Sequence, residues 1–185
     1  IACGPGLTTQ TPALLQQTWR TSAPLLLDAD ALNLLANDDS LPPRNSPTLL
    51  TPHPGEFRRL FPELELGDRW TAVLQGAAQR QAILLLKGAR TLIAQPDGQV
   101  WAIANGTPAL ARGGSGDVLT GLAGGWLAQT EPSQAATTLA AAAWAHAAAA
   151  QQLTATQTML GVDPVRLAST IDGAIAAAVR SNSRD

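Results

Sequence analysis

In 185 residues the chain has one cysteine, one methionine, two histidines and no tyrosine. Cys3 alone excludes an internal disulfide framework, which fits a reducing compartment. One cysteine and two separated histidines, His53 and His146, are too few for a structural zinc site. No Ser-His-Asp or Cys-His arrangement stands out. Charged residues make up only 14% of the chain, and the net charge is −2. No basic stripe points to nucleic acid, and no polybasic segment points to a membrane surface. The longest apolar run, Leu139 to Ala150, is alanine-rich, interrupted by His146 and too short to span a bilayer. No secretory signal is visible at Ile1, so the expected location is the cytoplasm. Internal repeats and clear linkers are also lacking, so residues 1–185 are expected to form one domain.

What is present centres on Gly113-Gly-Ser-Gly-Asp117. After Asp117 the apolar residues Val118, Leu119, Leu122, Ala123, Trp126 and Leu127 recur at helical spacing, so a helix is expected from about Ser115. Glycines before a helix free backbone N–H groups, and with the helix dipole these favour an anion such as phosphate. Asp117 at that junction is a cap, a metal-linked acid or a base. The loop comes too late in the chain for a dinucleotide-binding fingerprint, and no Lys-Ser/Thr follows as in a Walker loop.

The rest of the chain alternates apolar runs with helical segments. Ile1–Cys3, Pro24–Leu27, Thr48–Thr51 and Ala82–Leu86 read as buried strands. Helices are expected over Thr11–Trp19, Ala31–Ala36, from Phe57, over Arg69–Gln81, from Pro132 to about Leu153, and after Asp163-Pro164. Thr91–Ala94 and Val100–Ile103 read as a hairpin turning at Asp97-Gly98. This alternation implies a parallel sheet covered by helices on both faces. Parallel strands end on one edge, and ligands bind outside it. Each buried strand is followed by a polar cluster: Gly4-Pro-Gly6, Asp28 with Asp30, His53 with Glu56, and Lys87-Gly88. One crevice can therefore collect them.

Each cluster also has a plain reading. Lys87 is a surface lysine at a strand end, or an ammonium that holds a nucleotide phosphate beside the backbone freed by Gly88. His53, between two prolines, is a turn histidine or a ligand contact with a fixed ring direction. Glu56 reads better as a first-turn acid. Asp28 and Asp30 hold Mg²⁺ through water or cap the following helix, and for Asp30 the cap is the better reading. His146, Met159 and the five tryptophans read as packing residues.

Taken together, Gly4-Pro-Gly-Leu7, Leu27-Asp-Ala-Asp-Ala-Leu-Asn33, Thr51-Pro-His-Pro-Gly-Glu56, Lys87-Gly-Ala-Arg-Thr91 and Asn105 to Gly121 resemble, in order and over nearly the whole chain, the ADP-dependent NAD(P)H-hydrate dehydratases. These are the carbohydrate-kinase-like domain of a bacterial nicotinamide-repair protein. The resemblance implies a ribokinase-like three-layer α/β/α fold with a mostly parallel sheet. It implies the S-form of hydrated NADH or NADPH as substrate, contacted by Gly6, His53 and Asp117. It implies an adenine nucleotide, ADP leaving as AMP, held by Lys87, Gly88, Ala89, Arg90, Thr91 and Gly116. Mg²⁺, a homo-oligomer and a fused or separate upstream epimerase domain are implied as well, with no metal ligand assigned. Asp117 would act as the base.

Four positions depart from the family pattern. Thr8 stands where a second glycine is common, Ser115 where threonine is frequent, and Leu110 where methionine is expected. Arg112 replaces a small polar residue beside the phosphate cradle, where it would bind an anion or crowd it. A whole family domain would also carry roughly 90 residues before Gly4. The expectation is that an upstream piece exists or that these residues are inactive alone. Two other functions fit the same motifs less well: a vitamin-precursor kinase of the hydroxyethylthiazole or hydroxymethylpyrimidine type, and a non-catalytic nucleotide-binding fragment.

Overall fold

The computed structural model describes residues 1–8, 10–38 and 40–182. Their strands are β1 (Ala2–Cys3), β2 (Leu25–Leu27), β3 (Thr48–Leu50), β4 (Ile83–Leu86), β5 (Thr91–Ala94) and β6 (Val100–Ile103). They form one sheet in chain order. β1 to β4 are parallel, with Leu26 opposite Leu49 and Leu49 opposite Ile83. β5 and β6 complete the sheet antiparallel. Their turn closes with the Gln95 amide donating to the Gln99 carbonyl at 2.9 Å, and Gly98 supplies a φ of +95°.

Period-two alternation within short leucine runs feeds two helical layers. Leu25, Leu27, Leu50, Leu84 and Leu86 point into one core with Phe57 and Phe61. That layer holds α1 (Pro12–Trp19), α2 (Ala29–Ala36), α3 (Pro54–Leu60) and α4 (Arg69–Arg80). Leu26, Leu49, Ile83 and Leu85 point the other way, onto α5 (Ser115–Leu127) and α6 (Ala135–Thr154). α7 (Pro164–Asn182) packs on α6 through Leu167 and Ile171. Leucines with no exposure on either face each contribute roughly 1.5–3 kcal/mol. The expected mostly parallel three-layer α/β/α architecture is therefore present.

Some local expectations change. α2 starts two residues early because Asp28, not Asp30, is its cap: the Asp28 side chain accepts the Ala29 amide at 2.9 Å. Asp30 sits in the first turn and accepts from the Asn33 side chain at 3.3 Å. α3 begins at Pro54 rather than Phe57 because His53 caps it. Pro132–Gln134 is a 3-10 turn, and the alanine-rich helix starts at Ala135. Its exposed positions are Thr137, Ala141, Trp144, Gln151 and Gln152, and twelve of its twenty residues are buried. β1 is only half buried and forms the sheet edge.

Candidate active site

Backbone hydrogen bonds align the strand ends. The Cys3 carbonyl accepts from the Asp28 amide at 3.1 Å, Leu27 from Thr51 at 3.1 Å, and Pro52 from Lys87 at 2.9 Å. Gly4, Asp28, His53 and Lys87 thus leave the sheet side by side. Gly4 has no room for a side chain, since a Cβ there would lie 1.7 Å from the Asp28 carbonyl oxygen.

At the middle of this edge Lys87 Nζ lies 2.5 Å from Asp28 Oδ1. The Asp28 side chain is 3% exposed and that of Lys87 23%. The second carboxylate oxygen accepts from the buried Thr120 hydroxyl of α5 at 2.8 Å. Gly116, in the first turn of α5, lies over the pair. A Cβ built there would be 3.4 Å from Lys87 Nζ and 3.5 Å from Asp28 Oδ2. Asp28 joins β2, β4 and α5 through partners 59 and 92 residues away, so no local pattern reveals this role.

α5 begins at Ser115, with Gly114 at φ +85° before it. The amides of Gly116 and Asp117 have no acceptor among the described residues, as expected of a helix N-terminus, and offer a place for an anion. The Asp117 side chain is exposed and has no hydrogen bond or ion pair among the described residues. Beneath this turn lies His146, 5% exposed on α6. Its Nε2 is 3.0 Å from the Ser115 carbonyl oxygen, so Nε2–H donates. Burial lowers its pKa from 6.5 to about 4; the Ser115 bond opposes this, and the Lys87 charge adds to it.

His53 faces outward at the end of β3. Its Nδ1 accepts the amides of Gly55 at 3.0 Å and Glu56 at 3.2 Å, while Glu56 accepts the His53 amide at 2.8 Å. An accepting Nδ1 places the proton on Nε2, and the ring is 52% exposed. His53 therefore caps α3 with a half-exposed ring whose Nε2 lies 3.4 Å from Glu56 Oε1. Glu56 is the first-turn acid expected of it.

The loop after β4 is fixed by a residue that the sequence did not single out. Arg69 donates to the carbonyls of Arg90 at 3.0 Å and of Leu86 and Lys87 at 3.2 Å each. Gly88 gives it room, because a Cβ there would meet the guanidinium at 2.6 Å. On the other side Gly106 leaves space for the Ala89 carbonyl, 2.7 Å from where a Cβ would sit. The side chains of Ala89 and Arg90 remain exposed, and the Thr91 hydroxyl donates to the Gly88 carbonyl at 3.3 Å. Arg112 is committed elsewhere: it donates to the Val162 carbonyl at 2.5 Å and that of Leu160 at 3.1 Å. Its Nη1 is thus anchored to the segment that leads into α7. Gly6, exposed at φ +75°, has no close neighbour.

Among the described residues no three His, Cys, Asp or Glu side chains cluster to hold a metal. The donor set fits Mg²⁺ carried by nucleotide phosphates with Asp117 alongside, since Asp28 already accepts from the Ala29 amide, Lys87 and Thr120. Two grooves of about 430 and 490 Å³ lie away from the strand ends, between α5 and α6 and between α5 and α7.

A mostly parallel sheet between helical layers, with strand-end polar groups under a glycine-started helix, defines a ribokinase-like domain. More narrowly, the chain belongs to the NAD(P)H-hydrate dehydratase family, whose profile matches residues 1–172. The bifunctional NAD(P)H-hydrate repair enzyme Nnr of Synechocystis is 54% identical over 171 residues, 91% of this chain and 33% of that protein. The ADP-dependent (S)-NAD(P)H-hydrate dehydratase of Bacillus subtilis is 42% identical over 132 residues, 69% of this chain and 46% of that one. A crystal structure of the ADP/ATP-dependent enzyme from Bacillus subtilis, co-crystallized with ATP/Mg²⁺, superposes with a TM-score of 0.85 at 35% identity. It covers 96% of this chain and 64% of that one. The chain thus spans about a third of the length of its bifunctional relatives.

Proposed function

We propose that this chain carries out the ADP-dependent dehydration of the S-form of hydrated NADH or NADPH, restoring the dihydronicotinamide and releasing AMP and phosphate. The observation that carries this reading is the meeting of the Lys87 ammonium with the Gly116 turn of α5, where two amides are free and Asp117 is unpaired. Family membership supplies the substrate class.

The chemistry follows from the leaving group. Hydroxide leaves the nicotinamide ring poorly. Asp117 takes the proton of the ring hydroxyl as its oxygen attacks the β-phosphorus of ADP, and AMP departs. The ring nitrogen lone pair then expels phosphate, and loss of the neighbouring ring proton restores the double bond. Lys87 and the Gly116 and Asp117 amides stabilise charge on the transferring group. His53 offers its half-exposed ring, and Gly6 its backbone, to the hydrate. The loop 87–91 holds the nucleotide. Mg²⁺ bound with the phosphates would add charge neutralisation.

The family reading also carries a cytoplasmic location, a homo-oligomer and an upstream epimerase domain; sedimentation measures the second. The test of function is an assay with hydrated NADH and Mg·ADP, including whatever the gene encodes before Ile1. The expected result is recovery of dihydronicotinamide absorbance with one AMP per turnover. Nucleotide binding without AMP release would favour the non-catalytic reading.

A further inference from the structure

The dehydratase reading gives Asp28 no task, yet four parts of the fold converge on it. Gly4 presses on its carbonyl, Ala29 follows it at a left-handed φ of +48°, and Thr120 and Lys87 both donate to its side chain. A left-handed alanine is strained and persists only where its surroundings over-determine it. A carboxylate 2% exposed is costly unless matched by partners.

Lys87 is the opposite case. Its side chain is long, flexible and partly exposed, and a free ammonium there would sample many positions. β2 and β4 are not neighbours, so the pair reaches across the end of β3, over roughly 10 Å between strand axes. Asp28 takes one of the three ammonium protons, and two remain for an anion.

We infer that Asp28 is a positioning residue that holds the Lys87 ammonium beneath the first turn of α5, where it meets the nucleotide phosphates. Asp28 acts through Lys87 and touches neither nucleotide nor hydrate. This rests on the reading of Lys87 as nucleotide-binding.

The test measures the Kd of Mg·ADP by titration calorimetry and the thermal midpoint of each variant. K87Q is expected to weaken ADP roughly tenfold, the size of one charge-assisted contact. D28N is expected to weaken it similarly and to lower the midpoint. In D28N/K87Q the Kd stays at that of K87Q, because Asp28 has nothing left to position, and the midpoint recovers toward wild type. T120V removes the other side chain that donates to Asp28; it lowers the midpoint and leaves the Kd within about twofold. An unchanged Kd in D28N beside a weakened K87Q overturns this inference alone. An unchanged Kd in K87Q overturns both it and the nucleotide role of Lys87. Should D28N not fold, the comparison of K87Q with D28N/K87Q decides: further weakening in the double variant means that Asp28 acts on the ligand by another route.

Discussion

His146 donates from Nε2 to the carbonyl oxygen of Ser115 at 3.0 Å, so a buried neutral histidine holds the first turn of the helix that carries Asp117. Its pKa is about 4 in the folded chain and near 6.5 when unfolded. Between those values the unfolded chain binds the extra proton, so stability is full above pH 6.5 and falls as pH drops toward 4. The limit is roughly 3 kcal/mol. H146Q keeps a donor to Ser115 but cannot titrate. Its thermal midpoint is expected to fall less between pH 6.5 and 4 than that of wild type, as scanning calorimetry across that window would record.

Asp117 is exposed and unpaired, so replacing it should cost little stability. D117A is expected to keep its thermal midpoint within a degree or two and to lose roughly 10²–10⁴-fold in turnover. Full turnover in D117A would remove Asp117 as the base.

His53 has two separable duties. H53N retains a side-chain acceptor for the Gly55 and Glu56 amides but lacks the exposed imidazole ring. H53A loses both. The expected outcome is a near-native midpoint for H53N and a loss of about 1 kcal/mol for H53A. KM for the hydrate should rise in both.

Arg69 donates to three carbonyls around the loop after β4 and is half-buried, which pushes its pKa down. R69M is expected to loosen residues 87–90, speed their amide exchange and raise KM for ADP several-fold, with a smaller change in kcat. Protection unchanged in that loop would show that the three bonds do not hold it.

The order of elements was legible because each buried strand is a short leucine-rich run and each helix has a start signal. The strand at Ile83–Leu86 and the hairpin turning at Gly98 needed no tertiary information and follow from an apolar run and an Asp-Gly turn signal. The strand-end clusters were legible too, because parallel strands share an edge. Asp28 was harder, since capping and ion pairing use the same carboxylate and Lys87 lies 59 residues on. A partly buried strand-end lysine calls for a counter-charge at another strand end, and that requirement was the available signal. Arg69 reads locally as an ordinary first-turn residue of α4, and His146 sits in an alanine run that carries no chemical motif. Their roles depend on which helix lies against which loop.

α6 buries twelve of its twenty residues, yet most of those positions carry only a methyl group. Truncation has almost nothing to remove there, and enlargement has nowhere to go. A scan of all substitutions along Ala142, Ala145 and Ala149 should therefore invert the usual core pattern, tolerating glycine better than leucine or phenylalanine. The helix works as a spacer of minimum thickness between the sheet and α7.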